Sequence, residues 1–323
     1  VAFTKIHHVG LVTGDLDHAK HILVEGFGLS LDEHRTPWPG KKGHDGSTIL
    51  EFPIGEMYYE VAKPSPVEPF VDNVTGGTSA FNLSEESGSS KFLEGTKGRG
   101  GIYYISIASD DIKSDIEGII SRGGKLDGEW NGSSSVFLDT KSALGLNIQI
   151  VQDDGYFVHP YFKGNGTCTG MAHIGIAARN PDESRWLWGH VLGLKEDPSG
   201  EHGQEGPDPD RELGAADDPV HLLEYPIGGT VIEISHPTTS DSGTARLVAS
   251  RAAHGAVFHH TAPFAPDVHK FVDQAVSAGM EQIGSIPPKG TESFVIGWFH
   301  PRACLGMLLE PWNRPPGDYH YRG

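Results

Sequence analysis

The chain has 323 residues, enough for two domains of ordinary size and a substantial core. Its 25 Lys+Arg against 43 Asp+Glu give a net charge of −18, which argues against nucleic acid or an anionic membrane surface as partner, since both need a cationic face. No apolar run approaches the roughly 18 residues of a membrane helix, the opening VAFTKIHHVG lacks a signal-peptide pattern, and two cysteines are too few for a disulfide framework. A soluble cytoplasmic protein with a small-molecule partner is expected. The 43 glycines and 22 prolines suit many short strands joined by turns better than a helical bundle.

The first element, KIHHVGLV, alternates as a strand does and carries His8. Asp15 is placed to cap a helix that ends at Gly28, and strands follow at EFPIG (51–55) and MYYEV, the latter carrying Glu60. A second unit starts near residue 101, with Tyr104 on its first strand, Gly123 after its helix and Gln149 on its last strand, LGLNIQ. The stretch 153–169 (DDGYFVHPYFKGNGTCT) is Gly/Pro-containing and reads as a linker.

The plan then repeats. His173-Ile174-Gly175-Ile176-Ala177 matches His8-Val9-Gly10-Leu11-Val12, Asn180-Pro181-Asp182 matches Asp15-Leu16-Asp17, and both His8 to Gly28 and His173 to Gly193 span 20 residues. Pro181 takes the favoured first helical position. EYPIG (224–228) echoes EFPIG, and a glutamate, Glu60 or Glu233, stands five residues past each closing glycine. A fourth unit starts near 256, with His260, Gly279 and a last strand LGMLLE ending at Glu310. The expected fold is therefore α+β, with four βαβββ modules in two tandem domains, 1–152 and 170–323, each a curved mixed sheet forming an open barrel. Acidic Glu201–Pro219 lengthens the third module and is expected as a solvated loop or a lid.

The repeat gives the strand polar residues a common register. First strands carry His8, Tyr104, His173 and His260, and last strands carry Glu60, Gln149, Glu233 and Glu310. A lone His or Glu on a strand is more often solvated than a ligand. The recurrence is what tells, because a buried carboxylate is costly without a partner. His173, Glu233, His260 and Glu310 suit one divalent first-row ion: Zn²⁺, Mn²⁺, Fe²⁺, Co²⁺ or Ni²⁺. With Tyr104 and Gln149 in two of its four places, the first-half site is expected to be degenerate. His7 and His259 should point to the opposite strand face and serve as supporting or packing residues.

This repeat resembles the vicinal oxygen chelate superfamily, which includes glyoxalase I, extradiol dioxygenases, fosfomycin-modifying enzymes and methylmalonyl-CoA epimerase. The second half, in MAHIGIAARNPDESRWLWGHVLGL, AVFHHTAPFAPDV and WFHPRACLGMLLE, is similar to the epimerase, and the four-module plan is similar to 2-epi-5-epi-valiolone epimerases. The resemblance implies that His173, Glu233, His260 and Glu310 take the ligand positions. Members that pair the first module with the last would instead use His8, Glu60, His260 and Glu310; the similar connectors before modules two and four favour adjacent pairing. The implied reaction is epimerisation beside a ketone through a metal-stabilised enediolate, with Glu233 or Glu310 as base. The alternatives are an Fe(II) ring-cleaving dioxygenase using His173, His260 and Glu310, a glyoxalase-type lyase, and a protein that sequesters a small molecule. An exposed sheet edge makes a homodimer plausible.

Overall fold

The computed structural model describes residues 3–43, 46–65, 87–155, 166–197, 213–215, 218–292 and 294–314. Most of the proposed linker and of the acidic insertion lies outside these residues. Among them no helix is long and apolar enough to cross a membrane.

Among the described residues fifteen strands form two mixed sheets. In the first half β1 (Phe3–Val12), β2 (Lys41–Lys42), β3 (Thr48–Ile54), β4 (Met57–Lys63), β5 (Gly101–Ser109), β6 (Ser135–Phe137) and β7 (Ile148–Gln152) run in the order β2-β3-β4-β1-β5-β7-β6. In the second half β8 (Gly170–Ala178), β9 (Leu213–Ala215), β10 (Asp218–Ile227), β11 (Thr230–Pro237), β12 (Ala256–Phe264), β13 (Gln282–Ile283), β14 (Trp298–Phe299) and β15 (Leu308–Leu309) run β13-β14-β15-β12-β8-β11-β10-β9. The two orders match module for module, so the α+β architecture of two tandem domains is as the repeat demands. The second module departs from the plan, its middle strands shrinking to β6 and a single bridge between Leu126 and Leu138. The acidic insertion is not all loop either: β9 pairs with the start of β10 and ends the sheet.

Helices open on the expected caps. Asp15 accepts from the His18 amide at 3.0 Å and begins α1 (Leu16–His21), and Asn180 accepts from the Asp182 amide at 2.9 Å and begins α4 (Pro181–Ser184). Both helices widen into π-helical turns, Ile22–Gly26 and Arg185–Val191. The wider turn brings adjacent apolar residues inward together, so that Ile22 and Leu23, and Leu187 and Trp188, are all buried. Gly28 and Gly193 follow with φ of 70° each, the left-handed geometry that ends a helix and favours glycine. The even modules carry α3 (Ile112–Ser121) and α6 (Val268–Ser277), capped by Asp111 and Asp267. The two similar connectors are themselves helical, α2 (Gly88–Gly95) and α5 (Gly243–Arg251).

Sheets pair within halves, but helices pack across them. The π turn after α1 meets the fourth module, with Gly26 against Met280 and the Phe27 and Phe271 rings 5.8 Å apart. Its counterpart after α4 meets the second module, where the Arg122 Nε–H donates to the Val191 carbonyl at 2.9 Å. Turns interlock reciprocally as well. Leu144-Gly145 lies against Gly255-Ala256, the Ala256 amide donating to the Leu144 carbonyl at 2.9 Å, and Leu305-Gly306 lies against Gly100-Gly101. One continuous apolar core consequently runs through both halves.

Ser184 of α4 ties to the sheet through buried His236, whose Nε2 lies 3.0 Å from the Ser184 hydroxyl while Nδ1 faces the His221 carbonyl at 3.2 Å. Burial pulls the His236 pKa down to about 4. The unfolded chain, with a histidine pKa near 6.5, then binds the extra proton first as pH falls. Folding stability should drop through the window from about 6.5 to about 4, by up to about 3 kcal/mol from this residue. Urea denaturation at pH 7 and pH 4.5 should show a smaller acid loss in His236→Gln than in wild type; equal losses would refute this assignment.

Candidate metal centre

Four adjacent strands, β15-β12-β8-β11, carry the second-half donors. His173 sits on β8. Two residues on and on the same face, Gly175 stands opposite both Glu233 of β11 and His260 of β12. Glu310 follows β15 and is fixed by its amide, which donates to the Thr261 carbonyl at 3.0 Å. Gly175 is required here: a Cβ on it would overlap the His260 ring, which crosses directly over the glycine. Gly175→Ala should keep the fold and push His260 aside, lowering ion affinity by about 10–100-fold. Circular dichroism with elemental analysis checks both parts, and a variant holding wild-type ion content would sink the idea.

The donors converge. His173 Nε2 is 3.0 Å from His260 Nε2 and 3.1 Å from Glu310 Oε2, and His260 Nε2 is 3.2 Å from Glu310 Oε2. Glu233 stands farther out, with Oε2 3.9 Å from His173 Nε2 and Oε1 3.7 Å from His260 Nε2. All four residues are buried, and His173, Glu233 and His260 form a group compact enough to hold an ion. With metal–nitrogen bonds of about 2.1 Å, neighbouring octahedral ligands stand about 3.0 Å apart, which the three short separations match.

The charge balance also calls for a cation. Burial disfavours a charged His173, but the carboxylates of Glu233, Glu310 and Glu224 override it and raise its pKa to about 9. Glu224 is buried directly opposite Glu233 across the β10–β11 pair. Burial likewise opposes charge on Glu310, yet its bonds to His173 and His260 hold the carboxyl well below the usual range. Three carboxylates thus face two imidazoles away from water, and a divalent ion on these hard and intermediate donors would compensate the excess.

The first-half cup has the same register and a different solution. Gly10 again lies beneath the crossing ring, here Tyr104. The Tyr104 hydroxyl donates to Glu60 Oε1 at 2.6 Å and takes a hydrogen bond from His8 Nε2 at 2.7 Å, so the phenol joins the two donors directly. Gln149 accepts from the Ser106 hydroxyl at 2.9 Å. A cation is built in: Arg35 Nε is 2.7 Å from Glu51, the counterpart of Glu224, and its guanidinium lies over the Tyr58 ring. Burial, helped by Glu60 and Asp32, pushes the Glu51 carboxyl up to about 7 against that arginine.

The alternative set of His8, Glu60, His260 and Glu310 is not brought together, because β1 pairs with β4 and β5 while β12 pairs with β8 and β15. His7 and His259, expected on the opposite face as supporting or packing residues, each lie beside the ring of the following histidine. Each occupies a β-bulge, between Ile6 and His8 and between Phe258 and His260, which breaks the alternation. His7 Nδ1 lies 2.8 Å from His8 Nδ1, and His259 Nδ1 lies 3.1 Å from His260 Nδ1, where it can orient the ligand ring. Trp312, two residues past Glu310, stands edge-on to His173 with centroids 4.7 Å apart. Sequence reading passed over Gly175, Glu224 and Trp312, although the HIG and EYPIG repeats and the adjacent Glu310-Pro311-Trp312 were in view.

No curated protein matches the chain. Among solved structures, a variant of 4-hydroxymandelate synthase from Streptomyces coelicolor aligns at 11% identity with a TM-score of 0.64, covering 97% of this chain and 93% of its own. A fusion of a xylose isomerase-like TIM barrel with a 4-hydroxyphenylpyruvate dioxygenase aligns at 11% identity with a TM-score of 0.62 over 100% of this chain, which spans 51% of that protein. Methylmalonyl-CoA epimerase from Mycobacterium tuberculosis aligns with 48% of this chain and 95% of its own at 20% identity, with a TM-score of 0.38. At these identities the likeness concerns the fold alone. A family model, the Glyoxalase/Bleomycin resistance protein/Dioxygenase superfamily, matches residues 5–141 and again 170–299, the two halves that the repeat defines. The chain belongs to that superfamily.

Proposed function

We propose that the second-half cup binds one divalent ion through His173, His260, Glu310 and Glu233, and that the protein is a metal-dependent isomerase that epimerises a carbon next to a ketone. The carrying observation is the position of Glu233: buried, facing both imidazoles at 3.7 and 3.9 Å, and outside the tight contacts that fix the other three donors. When bound, the ion supplies a Lewis acid for the oxygen of a substrate carbonyl. His173, His260 and Glu310 hold the centre rigid, and the two imidazole bonds keep Glu310 an ionised, poor base. Glu233 is free of those bonds and is the carboxylate that takes the proton from carbon and returns it. The substrate class that fits is an α-hydroxyketone, and the four-module plan makes cyclic sugar-derived ketones such as 2-epi-5-epi-valiolone the first panel to assay.

One observation favours a second reading. His173, His260 and Glu310 alone form a close two-histidine, one-carboxylate face, the donor set of Fe(II) oxygenases, and whole-chain likeness to 4-hydroxymandelate synthase supports it. Incubation of the ion-loaded protein with the ketone panel in deuterated water separates the two. Uptake of deuterium at carbon without oxygen consumption supports the isomerase; oxygen consumption without exchange supports the oxygenase.

A further inference from the structure

Where the halves meet there is a cavity of about 350 Å³ that none of the four proposed ligands lines. Its walls come from α2 and β5 on one side and from α5 and β12 on the other. Phe92, Tyr103 and Phe258 supply aromatic surface, Asn147 and His259 supply polar edges, and Arg251 stands at the end of α5. Tyr103 and His259 are repeat counterparts, each set at a β-bulge immediately before the residue that crosses the glycine, so the two halves present the same backbone feature to one space. Bulges re-aim side chains and are enriched beside binding sites.

The charge arrangement gives the cavity its chemistry. Arg251 is lowered in pKa, first by burial and then by the nearby charge of Arg99. Arg99 is anchored by its Nε–H, which donates at 3.1 Å to the carbonyl of Thr96, a lining residue. Among the described residues neither guanidinium has a carboxylate within ion-pair distance. Both arginines are exposed, Arg251 on the cavity lining and Arg99 beside it, so in a chain with a net charge of −18 they offer accessible positive charge to an anion. Guanidinium groups pair in a two-pronged fashion with carboxylate and phosphate-type oxyanions, and the aromatic wall takes the apolar body that such an anion would carry.

We propose that this seam cavity is a binding site for a small aromatic anion, a carboxylate, sulfonate or phosphate ester, held by Arg251 with Arg99 and by the Phe92, Tyr103 and Phe258 rings. The site is separate from the metal centre, so it stands whether or not the reaction proposed above is right. It nonetheless reaches that centre through His259, whose ring touches His260.

The test is fluorescence titration of the ion-loaded protein with 8-anilinonaphthalene-1-sulfonate, followed by displacement with phenyl phosphate and with benzoate. One saturable site per chain is expected, weakened about tenfold or more by Arg251→Gln and by Phe92→Ala. Arg246→Gln, on the same helix but outside the cavity lining, should bind as wild type does. Stronger displacement by phenyl phosphate identifies a phosphate ester, and by benzoate a carboxylate. Absence of saturable binding, or equal binding in wild type and both cavity variants, overturns the proposal. Thermal melts of each variant separate loss of the site from loss of the fold.

Discussion

Purified protein should carry about one divalent ion per chain, and His260→Ala and Glu310→Ala should each lose it. Both residues belong to the three-membered face whose donor atoms lie 3.0 to 3.2 Å apart, so neither removal can be covered by a neighbour. Partners that merely orient a ligand are worth about 10–100-fold in affinity, so loss of a ligand itself should exceed about 100-fold. The variants should also be less stable, because Glu224 and Glu233 would remain buried with less positive charge to face. Elemental analysis beside circular dichroism reads both effects. In wild type, chelation should lower the melting temperature, and returning ion at about 100 times its dissociation constant should recover about 3 kcal/mol. An ion content indifferent to both substitutions would remove the metal centre from the account.

The second large effect is expected at Glu233. Glu233→Gln keeps an oxygen donor of the same length but removes the base, so ion content should stay near wild type while carbon–hydrogen exchange falls by about 10²–10⁴-fold. Glu310→Gln should behave differently, losing ion and activity together, because its carboxylate charge is what the two imidazoles grip. The contrast divides the two glutamates into one that holds and one that moves a proton. Full exchange activity in Glu233→Gln would end that assignment and pass the proton transfer to another group.

Much of this site could be read from spacing. The equal 20-residue steps from His8 to Gly28 and from His173 to Gly193 exposed the repeat, and the repeat put His173, Glu233, His260 and Glu310 in one register. Caps at Asp15 and Asn180 were legible because a short polar side chain before an apolar run has a local purpose. What stayed hidden depends on partners distant in sequence. Strict alternation sends His7 and His259 away from the cups, and only the antiparallel pairing of β1 with β5 and of β8 with β12 places a bulge under each. A degenerate first-half site was legible from Tyr104 and Gln149, but the direct hydrogen-bonded link of Tyr104 to both His8 and Glu60 is visible only in the fold. Arg35 is unremarkable in sequence and becomes the counter-charge of a buried glutamate through folding.

The interlocked turns at Leu144-Gly145 and Leu305-Gly306 have a bearing on history. They meet largely through backbone atoms, one against Gly255-Ala256 and the other against Gly100-Gly101, so the grip depends more on glycine than on particular side chains. A surface that recognises itself in this way has the contour of one member of a twofold dimer. Duplication and fusion of such a half-length ancestor would tether the pair while leaving each cup to change alone, one keeping its four donors and the other trading two of them for a tyrosine and a glutamine.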